Sequence, residues 1–532
     1  MAMKGQEFNF RKSPFNCSSF SIVILSALIS VFAPHQATAR QNEETVKEQS
    51  SVVKPKPIPP VENDGTTKFA AEDEAGDKSA DSVLSRAEFR PPPLQQLRYL
   101  EDYSYLRDKS LRRERLDRLK YIPLRKEKSD WYMSVGGEIR QRFETFRNDF
   151  WGAAPPDGDG YSLQRYMLHG DWHFGKNARA FVQLRSNVEA GRSGGPRPVL
   201  DENKLDFNQA FVDVNFDAGE KINVNFRAGR QEMLIPATRL INFREGPNVR
   251  ASFDGLRATV KNGKWRFDGF AVKPVESNRG YFDDIPDRQT TFWGALGERK
   301  LNFVGKSSVG FYYLGLDRKQ ARFDTGTGRE IRQSIGARFA GNAGAIDYAN
   351  EFTYQFGEFK SGAIRAWMIA SDNGYTFAGT RFAPRVGLRA NIASGDKKTN
   401  DARLETFNGL FSPGNYFGGE IGLLGSSNFM NLHPHINFKF PKRVLLTFDT
   451  MFYWRQSTRD GIYNSGGVLL KPGNLSRSRY VGTQPSATAV WAVDRHITFV
   501  ASYTHFFAGK FLKETPPGKD IDFFTAWVTY KF

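Results

Sequence analysis

The chain is almost free of cysteine and contains no long apolar run. Of its 532 residues only Cys17 is a cysteine, and it lies in an N-terminal stretch that we expect to be removed. The mature protein then has neither disulfides nor a thiol nucleophile. No run reaches the roughly 20 apolar residues that a membrane-spanning helix needs, which excludes a helical membrane protein.

Common catalytic motifs are also missing. The sequence contains neither G-x-S-x-G nor H-E-x-x-H, the patterns that place a serine nucleophile or a zinc ion. His433 and His435 share one face of a predicted strand, and Asp283, Asp284 and Asp287 lie in a predicted loop. A metal at the histidines or calcium at the aspartates is conceivable, but structural and solvated roles are simpler. We therefore predict no catalytic residue, no metal, no cofactor and no enzyme.

The N-terminus has the pattern of a secretory signal peptide. Arg11 and Lys12 precede a short apolar stretch from Phe20 to Phe32, and the small residues Ala37-Thr38-Ala39 follow it. This order of basic, apolar and small residues predicts a signal peptide over residues 1–39, cleaved after Ala39, and hence an exported protein.

The C-terminal residues 522–532 alternate strictly between an apolar and a more polar face. The apolar face ends on the last residue of the chain and consists of Phe524, Ala526, Val528, Tyr530 and Phe532. Such alternation predicts a strand with two different environments. A closing strand with a terminal Phe is typical of bacterial outer-membrane barrels, whose assembly machinery reads that end.

Strand-like stretches recur from Trp131 to the C-terminus, and the connections between them alternate in length. Short turns such as Asn262-Gly263, a type I′ hairpin signal, alternate with long connections such as 317–328 and 393–428. Short turns at one rim and long loops at the other are typical of porins. We predict an all-β fold, a transmembrane antiparallel β-barrel of about 18 strands over residues 131–532.

Two segments precede this barrel. Residues 40–93 are rich in Pro, Glu, Lys and Ser, which predicts a disordered periplasmic linker. Residues 94–130 are densely charged, and 94–120 contain neither Gly nor Pro, which predicts a helical segment. We favour a solvated helix packed near the mouth of the barrel over a basic plug that enters the lumen.

Positive charge is concentrated in the barrel and falls on the polar faces of its strands. The formal charge is +17, of which residues 1–39 contribute +2 and residues 40–130 contribute +1. A charge facing lipid at mid-membrane costs about 2–4 kcal/mol, so these faces must point into a lumen. Arg365 is assigned inward in the same way. The candidate pore-lining residues are Glu138, Arg140, Arg142, Glu144, Arg179, Arg185, Arg227, Arg338, Arg385 and Arg389.

Two blocks of residues resemble the alginate-export family of outer-membrane porins. The first runs from 228 to 255 and contains Arg239-Leu240, and its motif residues are Gly229, Arg230, Gln231, Arg250, Phe253, Asp254 and Gly255. The second runs from 393 to 418 and contains Ser394-Gly395-Asp396, Thr406-Phe407-Asn408 and Tyr416-Phe417-Gly418. The resemblance implies a monomeric 18-stranded barrel with an arginine-rich conduit for a uronate polymer.

We therefore expect a porin of the bacterial outer membrane that passes an anionic saccharide or other small anions. Arginine suits transient contact with carboxylates, and interspersed acids keep such contacts weak enough for movement. The alternatives are an outer-membrane enzyme acting on lipid or polysaccharide and a non-conducting structural barrel. The expected partners are outer-membrane lipid, lipopolysaccharide, the saccharide and the barrel assembly machinery, with no nucleic acid.

Overall fold

The computed structural model describes residues 91–128, 130–398 and 400–532. The predicted signal peptide and residues 40–90 of the predicted linker lie outside the described residues. Among the described residues, no helix is long and apolar enough to cross a membrane.

Within the described residues, 18 antiparallel strands form one closed barrel, as predicted. The first strand pairs with the last through Glu138 and Lys531, which closes the ring. In chain order, β1 to β18 are Trp131–Arg147, Asp157–Phe174, Ala178–Ala190, Asn203–Asp217, Ile222–Gln231, Phe253–Asn262, Trp265–Glu276, Thr290–Leu301, Lys306–Phe323, Gly326–Ala343, Ile346–Phe359, Gly362–Thr376, Arg385–Ala393, Phe429–Phe440, Val444–Trp454, Tyr480–Ala492, Ile497–Ala508 and Ile521–Lys531.

Shorter elements lie outside this ring. Short strands occupy Ile122–Pro123, Ile285–Pro286, Arg403–Leu404, Ile462–Tyr463 and Leu469–Lys471. Four-to-five-residue α-helices occupy Asp117–Lys120, Asp149–Gly152, Gly414–Gly418 and Lys510–Lys513. Turns of 3₁₀ helix occupy Arg98–Leu100, Ser104–Arg107, Lys109–Leu111, Pro441–Arg443 and Gly473–Leu475.

Each wall strand presents an apolar face outward and a polar face inward. On β1, Ile139 and Phe143 are 39% and 42% exposed, whereas Glu138 and Arg140 are buried. This is the alternation that lipid outside and a polar interior impose. One assignment is wrong: Arg365 of β12 is exposed and shares its face with Ile369, close to the rim, where the cost of facing lipid is small.

The connections differ at the two ends of the barrel. One end carries short turns, for example 175–177 and 263–264, and the other carries long loops such as 232–252 and 394–428. The predicted long connection 317–328 is wrong, because β9 and β10 continue to a tight turn at 324–325. Asp317 pairs with Arg329 across these two strands at 2.7 Å, so the polar sequence continues the ladder.

The predicted continuous helix over 94–120 is also wrong. The segment forms three separate 3₁₀ turns and a four-residue helix. Its anchoring side chains do not follow a helical period, and successive tight turns bury Leu97, Tyr99 and Leu106. Tyr99 packs edge-on against the inward-facing Phe211 at 5.5 Å. The segment therefore enters the lumen, and the favoured placement as a solvated helix is wrong.

Candidate functional site

Two long connections fold back into the barrel interior. We call 232–252 the first inner loop and 394–428 the second inner loop. They meet where the backbone N–H of Phe411 donates to the Leu240 carbonyl at 3.0 Å, beside a bridge between Ile241 and Phe411. Their apolar side chains form a buried core at the long-loop end, which includes Met233, Ile235, Leu240, Phe407, Tyr416 and Phe417.

The family motif builds the base of the first inner loop. Gly229 and Gly255 face each other across β5 and β6, and both have positive φ angles, 128° and 154°. A Cβ at Gly229 would lie 2.3 Å from the Ala210 carbonyl oxygen, so only glycine fits there. Next to this pair, Arg230 binds Asp254 through two hydrogen bonds of 2.9 and 3.0 Å, which closes the loop at its root.

Other motif residues fix the inner part of the same loop. Arg250 is fully buried and contacts Glu138 at 3.3 Å, Glu232 at 3.7 Å and Glu245. Phe253 packs edge-on against Phe411 of the second inner loop at 5.0 Å. Gln231 is also fully buried. Six of the seven motif residues therefore shape the first inner loop, whereas the buried amide of Gln231 has no hydrogen-bond partner among the described residues.

The second inner loop is fastened to the loop 455–479 by a buried carboxylate. Asp460 accepts hydrogen bonds from the hydroxyls of Thr406 and Tyr463, both at 2.6 Å, and from the Asp396 backbone N–H at 2.9 Å. Burial raises the pKa of Asp460 to about 6 and the pKa of Asp396 to about 7. Asp396, the aspartate of the second family block, thus belongs to a junction between two loops at the long-loop end.

Wall arginines on one side of the barrel hold the first inner loop by its carbonyl oxygens. Arg140 donates to the carbonyls of Glu245 and Pro247 at 3.1 and 3.0 Å, and Arg142 donates to Gly246 at 3.1 Å. Arg185 donates to the Arg250 carbonyl at 2.8 Å. These three predicted pore-lining arginines are therefore engaged by the loop and do not face open space.

The two predicted glutamates on β1 neutralise buried guanidinium groups on the same side. Glu138 pairs with Arg165 at 3.0 Å as well as with Arg250. Glu144 pairs with Arg142 at 2.6 Å and accepts a hydrogen bond from the Tyr161 hydroxyl at 2.6 Å. Sequence reasoning missed Arg165. It lies between Leu163 and Met167 on the same buried face of β2, at a spacing of two residues.

Two further predicted arginines pair with acids of neighbouring strands. Arg179 binds Asp171 at 2.7 and 2.6 Å, and Arg227 binds Asp213 at 2.8 and 2.9 Å. The Arg227 guanidinium also stacks 4.1 Å from the ring of Tyr99. Both arginines brace the wall, and Arg227 seats the N-terminal segment against it.

The N-terminal segment is tied to the seam where the barrel closes. Arg98 donates to the carbonyls of Gly137 and Phe532 at 2.7 and 2.8 Å and pairs with Glu101 at 2.8 Å. The guanidinium is buried, and its pairing with Glu101 raises the Arg98 pKa although burial opposes it. Sequence reasoning missed Arg98, because no local pattern links it to the C-terminus 434 residues away.

A cavity of about 560 Å³ occupies the other side of the interior. Strands β7 to β16 all contribute to its lining, and it extends to the short turns. We call this side the cavity half, and the side formed by β17, β18 and β1–β6 the packed half. Three of the predicted arginines line the cavity, namely Arg338, Arg385 and Arg389. Arg239 of the first inner loop lines it as well.

These arginines surround the tip of the second inner loop. Tyr416 lies between Arg239 and Arg389, whose guanidinium carbons are 4.7 and 5.1 Å from its ring centre. Arg389 pairs with Asp372 at 2.8 Å, and Arg385 binds Asp347 at 2.5 and 2.8 Å. Nine basic and five acidic side chains line the cavity, so positive charge is in excess.

The histidines and the loop aspartates have partners of their own. His433 lies 3.1 Å from Asp449, and His435 contacts Arg385 at 2.5 Å. Asp283 and Asp284 come together with Asp206, but Asp284 pairs with Arg185 at 2.5 Å. Because a guanidinium already neutralises that group, the arrangement does not need a cation.

Comparison with known proteins identifies the family. The family model for alginate export matches residues 131–524, and a comparison with curated proteins gives no match. A BenF-like porin from Pseudomonas fluorescens Pf-5 has a similar fold, with a TM-score of 0.52, 9% identity, and coverage of 76% of this chain and 98% of that chain. OpdK of Pseudomonas aeruginosa, solved with vanillate, gives a TM-score of 0.50 at 10% identity, covering 75% and 98%. The chain belongs to the alginate export family and forms an outer-membrane β-barrel channel.

Proposed function

We propose that the protein conducts a linear anionic saccharide, with uronate residues, through the cavity half of its lumen. The observation that carries this proposal is the excess of nine basic over five acidic side chains around one cavity. Guanidinium groups stay charged and offer several donors to a carboxylate. The interspersed acids keep the contact of each arginine with the saccharide weak, because the saccharide must leave each site to move on.

The lining acids do not cancel this excess. With nine basic and five acidic side chains in the lining and the histidines counted as neutral, the cavity wall has a formal charge of +4. Arg338 donates to the Pro236 carbonyl at 2.8 Å and lies 4.0 Å from Glu351, so it is held against the wall at the edge of the cavity. A passing carboxylate would therefore meet a positive potential beside the inner loops.

Outer-membrane lipid and lipopolysaccharide surround the channel in this proposal, and the barrel acts as a monomer. Aromatic and aliphatic side chains cover the outer face, as lipid contact requires. The assembly machinery would recognise β18, whose terminal Phe532 exchanges backbone hydrogen bonds with Gly137 at 2.9 and 3.0 Å.

Reversal potentials in a planar bilayer under a salt gradient test the proposal. We expect anion preference in the native protein and block of the current by uronate oligomers. Changing Arg385→Gln together with Arg389→Gln should reduce the preference while the barrel still folds. The matched control is Leu388→Gln, which is 44% exposed on the outer face and should leave selectivity unchanged.

A non-conducting barrel is the second candidate, since the inner loops and the N-terminal segment pack much of the lumen. Buried ion pairs fill the packed half, and the buried core at the long-loop end includes strands of both halves. If the native protein conducts no current and conducts only after removal of residues 91–121, the non-conducting barrel is favoured.

A further inference from the structure

The N-terminal segment carries exposed positive charge outside the residues that the family model matches. Between 107 and 118 one exposed acid, Asp108, accompanies five exposed basic side chains. We call these five the basic strip: Arg107, Lys109, Arg113, Arg115 and Arg118. Within the part of the chain that the structure describes, no ion pair engages the last four of them.

The strip is fixed to the barrel and is not a loose tail. Glu114, in the middle of it, contacts Arg495 at 3.3 Å and His496 at 3.0 Å in the turn between β16 and β17. Asp117 accepts hydrogen bonds from the backbone N–H groups of Arg113 and Glu114 at 2.7 and 2.9 Å. The exposed charges are therefore displayed at a defined place on the short-turn end.

That place adjoins the mouth of the cavity. The strip is anchored at the turn that follows β16, and the inward residues of β16 line the cavity: Ser486, Thr488 and Val490. Five further basic residues line the cavity near the turns of β6 to β9: Lys261, Lys264, Arg266, Lys300 and Lys306. In outer-membrane barrels the short turns face the periplasm, so positive charge flanks the periplasmic entrance from two sides.

We propose that the basic strip is a docking site for a linear anionic saccharide at the periplasmic mouth, an inference that rests on the proposed function. Exposed charges of one sign at an entrance raise the rate at which an oppositely charged ligand arrives more than they raise its final affinity. A polymer with a carboxylate on each sugar contacts several strip residues at once, and then extends into the adjoining cavity.

Substitution of four strip residues in the full-length protein tests this docking site. The strip variant combines Lys109→Gln, Arg113→Gln, Arg115→Gln and Arg118→Gln. Block of single channels by a polyuronate oligomer is recorded at low salt, with the oligomer added on the side of the N-terminal segment. We expect the association rate to fall about tenfold, with the dissociation rate and the ion selectivity unchanged.

A matched control removes the same charge from the opposite rim. Lys398, Lys510, Lys513 and Lys519 are exposed on the long loops, and their change to Gln should leave the association rate on the strip side unaltered. Heat-modifiable mobility of both variants checks that the barrels fold. The strip effect should also shrink at about 0.15 M salt, where screening acts within about 8 Å.

The outcomes separate the docking site from the channel function. Equal association rates for native protein and strip variant overturn the docking site and leave the channel function standing. Absence of block from either side in the native protein removes the channel function itself. Reduced binding of the strip variant to phosphatidylglycerol vesicles, with oligomer binding unchanged, makes the strip a lipid-headgroup contact and also overturns the docking site.

Discussion

The two halves of the barrel interior place several of their arginines in different surroundings. In the packed half, Arg140, Arg142 and Arg185 are buried and donate to carbonyls of the first inner loop. In the cavity half, Arg385 and Arg389 face a cavity of about 560 Å³, where Arg385 pairs with the partly exposed Asp347 and Arg389 with the buried Asp372. The same residue type on the same inward face thus serves as scaffold on one side and as lining on the other.

This difference shows that an inward position does not by itself make an arginine a pore contact. A guanidinium has five donors, and a loop folded against it can engage several of them. Arg165 illustrates this with hydrogen bonds to the carbonyls of Glu245, Pro247 and Asn248 at 3.0, 2.5 and 2.9 Å. What separates these arginines is how closely an inner loop packs against each guanidinium, because Arg338 of the cavity half also donates to the first inner loop, at the Pro236 carbonyl.

The largest expected effect comes from removing a charge in the packed half. Changing Glu138→Gln removes one of the two carboxylates that the buried guanidinium groups of Arg165 and Arg250 share, the other being Glu245. Breaking a buried pair costs about 3–5 kcal/mol, so the first inner loop should be held less firmly against the wall. Denaturant unfolding and increased current noise in a bilayer would show the change.

The corresponding change in the cavity half should be mild. Asp347→Asn removes the partner of Arg385, but the Asp347 side chain is 22% exposed and Arg385 also contacts His435. Loss of a partly solvated pair costs about 0–1 kcal/mol. Similar losses of stability in both variants would contradict the distinction between the two halves.

A more local effect, confined to one end of the barrel, is expected from releasing the N-terminal segment. Arg98→Ala removes charge-assisted hydrogen bonds to Gly137 and Phe532, each worth about 1.5–3 kcal/mol. The segment should leave the mouth, which raises single-channel conductance and exposes residues 91–121 to protease. Lys126→Ala, an exposed position outside the basic strip, is the control. Unchanged conductance after Arg98→Ala would show that the segment does not restrict the entrance.

The smallest effect concerns pH. Burial, with Arg98 and Arg495 nearby, lowers the pKa of Lys120 from 10.5 to about 7, against the opposing effects of Glu101 and Asp117. The charged lysine opposes docking of the segment, so docking should weaken as pH falls from 10 towards 7 and change little below that. His169 of β2 lies beside the same ammonium, next to Gly136.

Lys120→Met should remove this pH dependence and strengthen docking at pH 7. A fluorophore on Ser110→Cys reports the position of the segment, since Ser110 is exposed and the chain beyond Cys17 has no other cysteine. A pH response that persists in the Lys120→Met variant would assign it to another group.

The strands of the barrel wall could be predicted from the sequence, but the packing of the inner loops and the N-terminal segment inside the barrel could not. Period-two alternation predicted a barrel of about 18 strands from Trp131 onward, because lipid on one side and polar groups on the other constrain each residue locally. The contacts of Arg98 with Phe532 and of Leu240 with Phe411 join distant parts of the chain, and no local pattern encodes them. The helix over 94–120 failed for the same reason, since tertiary contacts override local propensity.

For the candidate site as well, part could be predicted from the sequence and part required the fold. Alternation placed Arg338, Arg385 and Arg389 on the inward side, and the cavity lies against them. It equally selected Arg140 and Arg185, which the first inner loop covers. The motif residues were visible in the sequence, but their role in closing and filling that loop required the fold.

Ion selectivity of paired variants tests most directly whether the cavity half carries the anions. Reversal potentials under a salt gradient are compared for the native protein, for Arg385→Gln with Arg389→Gln, and for Arg179→Gln with Arg227→Gln, which removes the same charge from the packed half. We predict that anion preference falls in the first variant and is retained in the second. Equal loss in both variants, or loss only in the second, would contradict the assignment of the conduit to the cavity half.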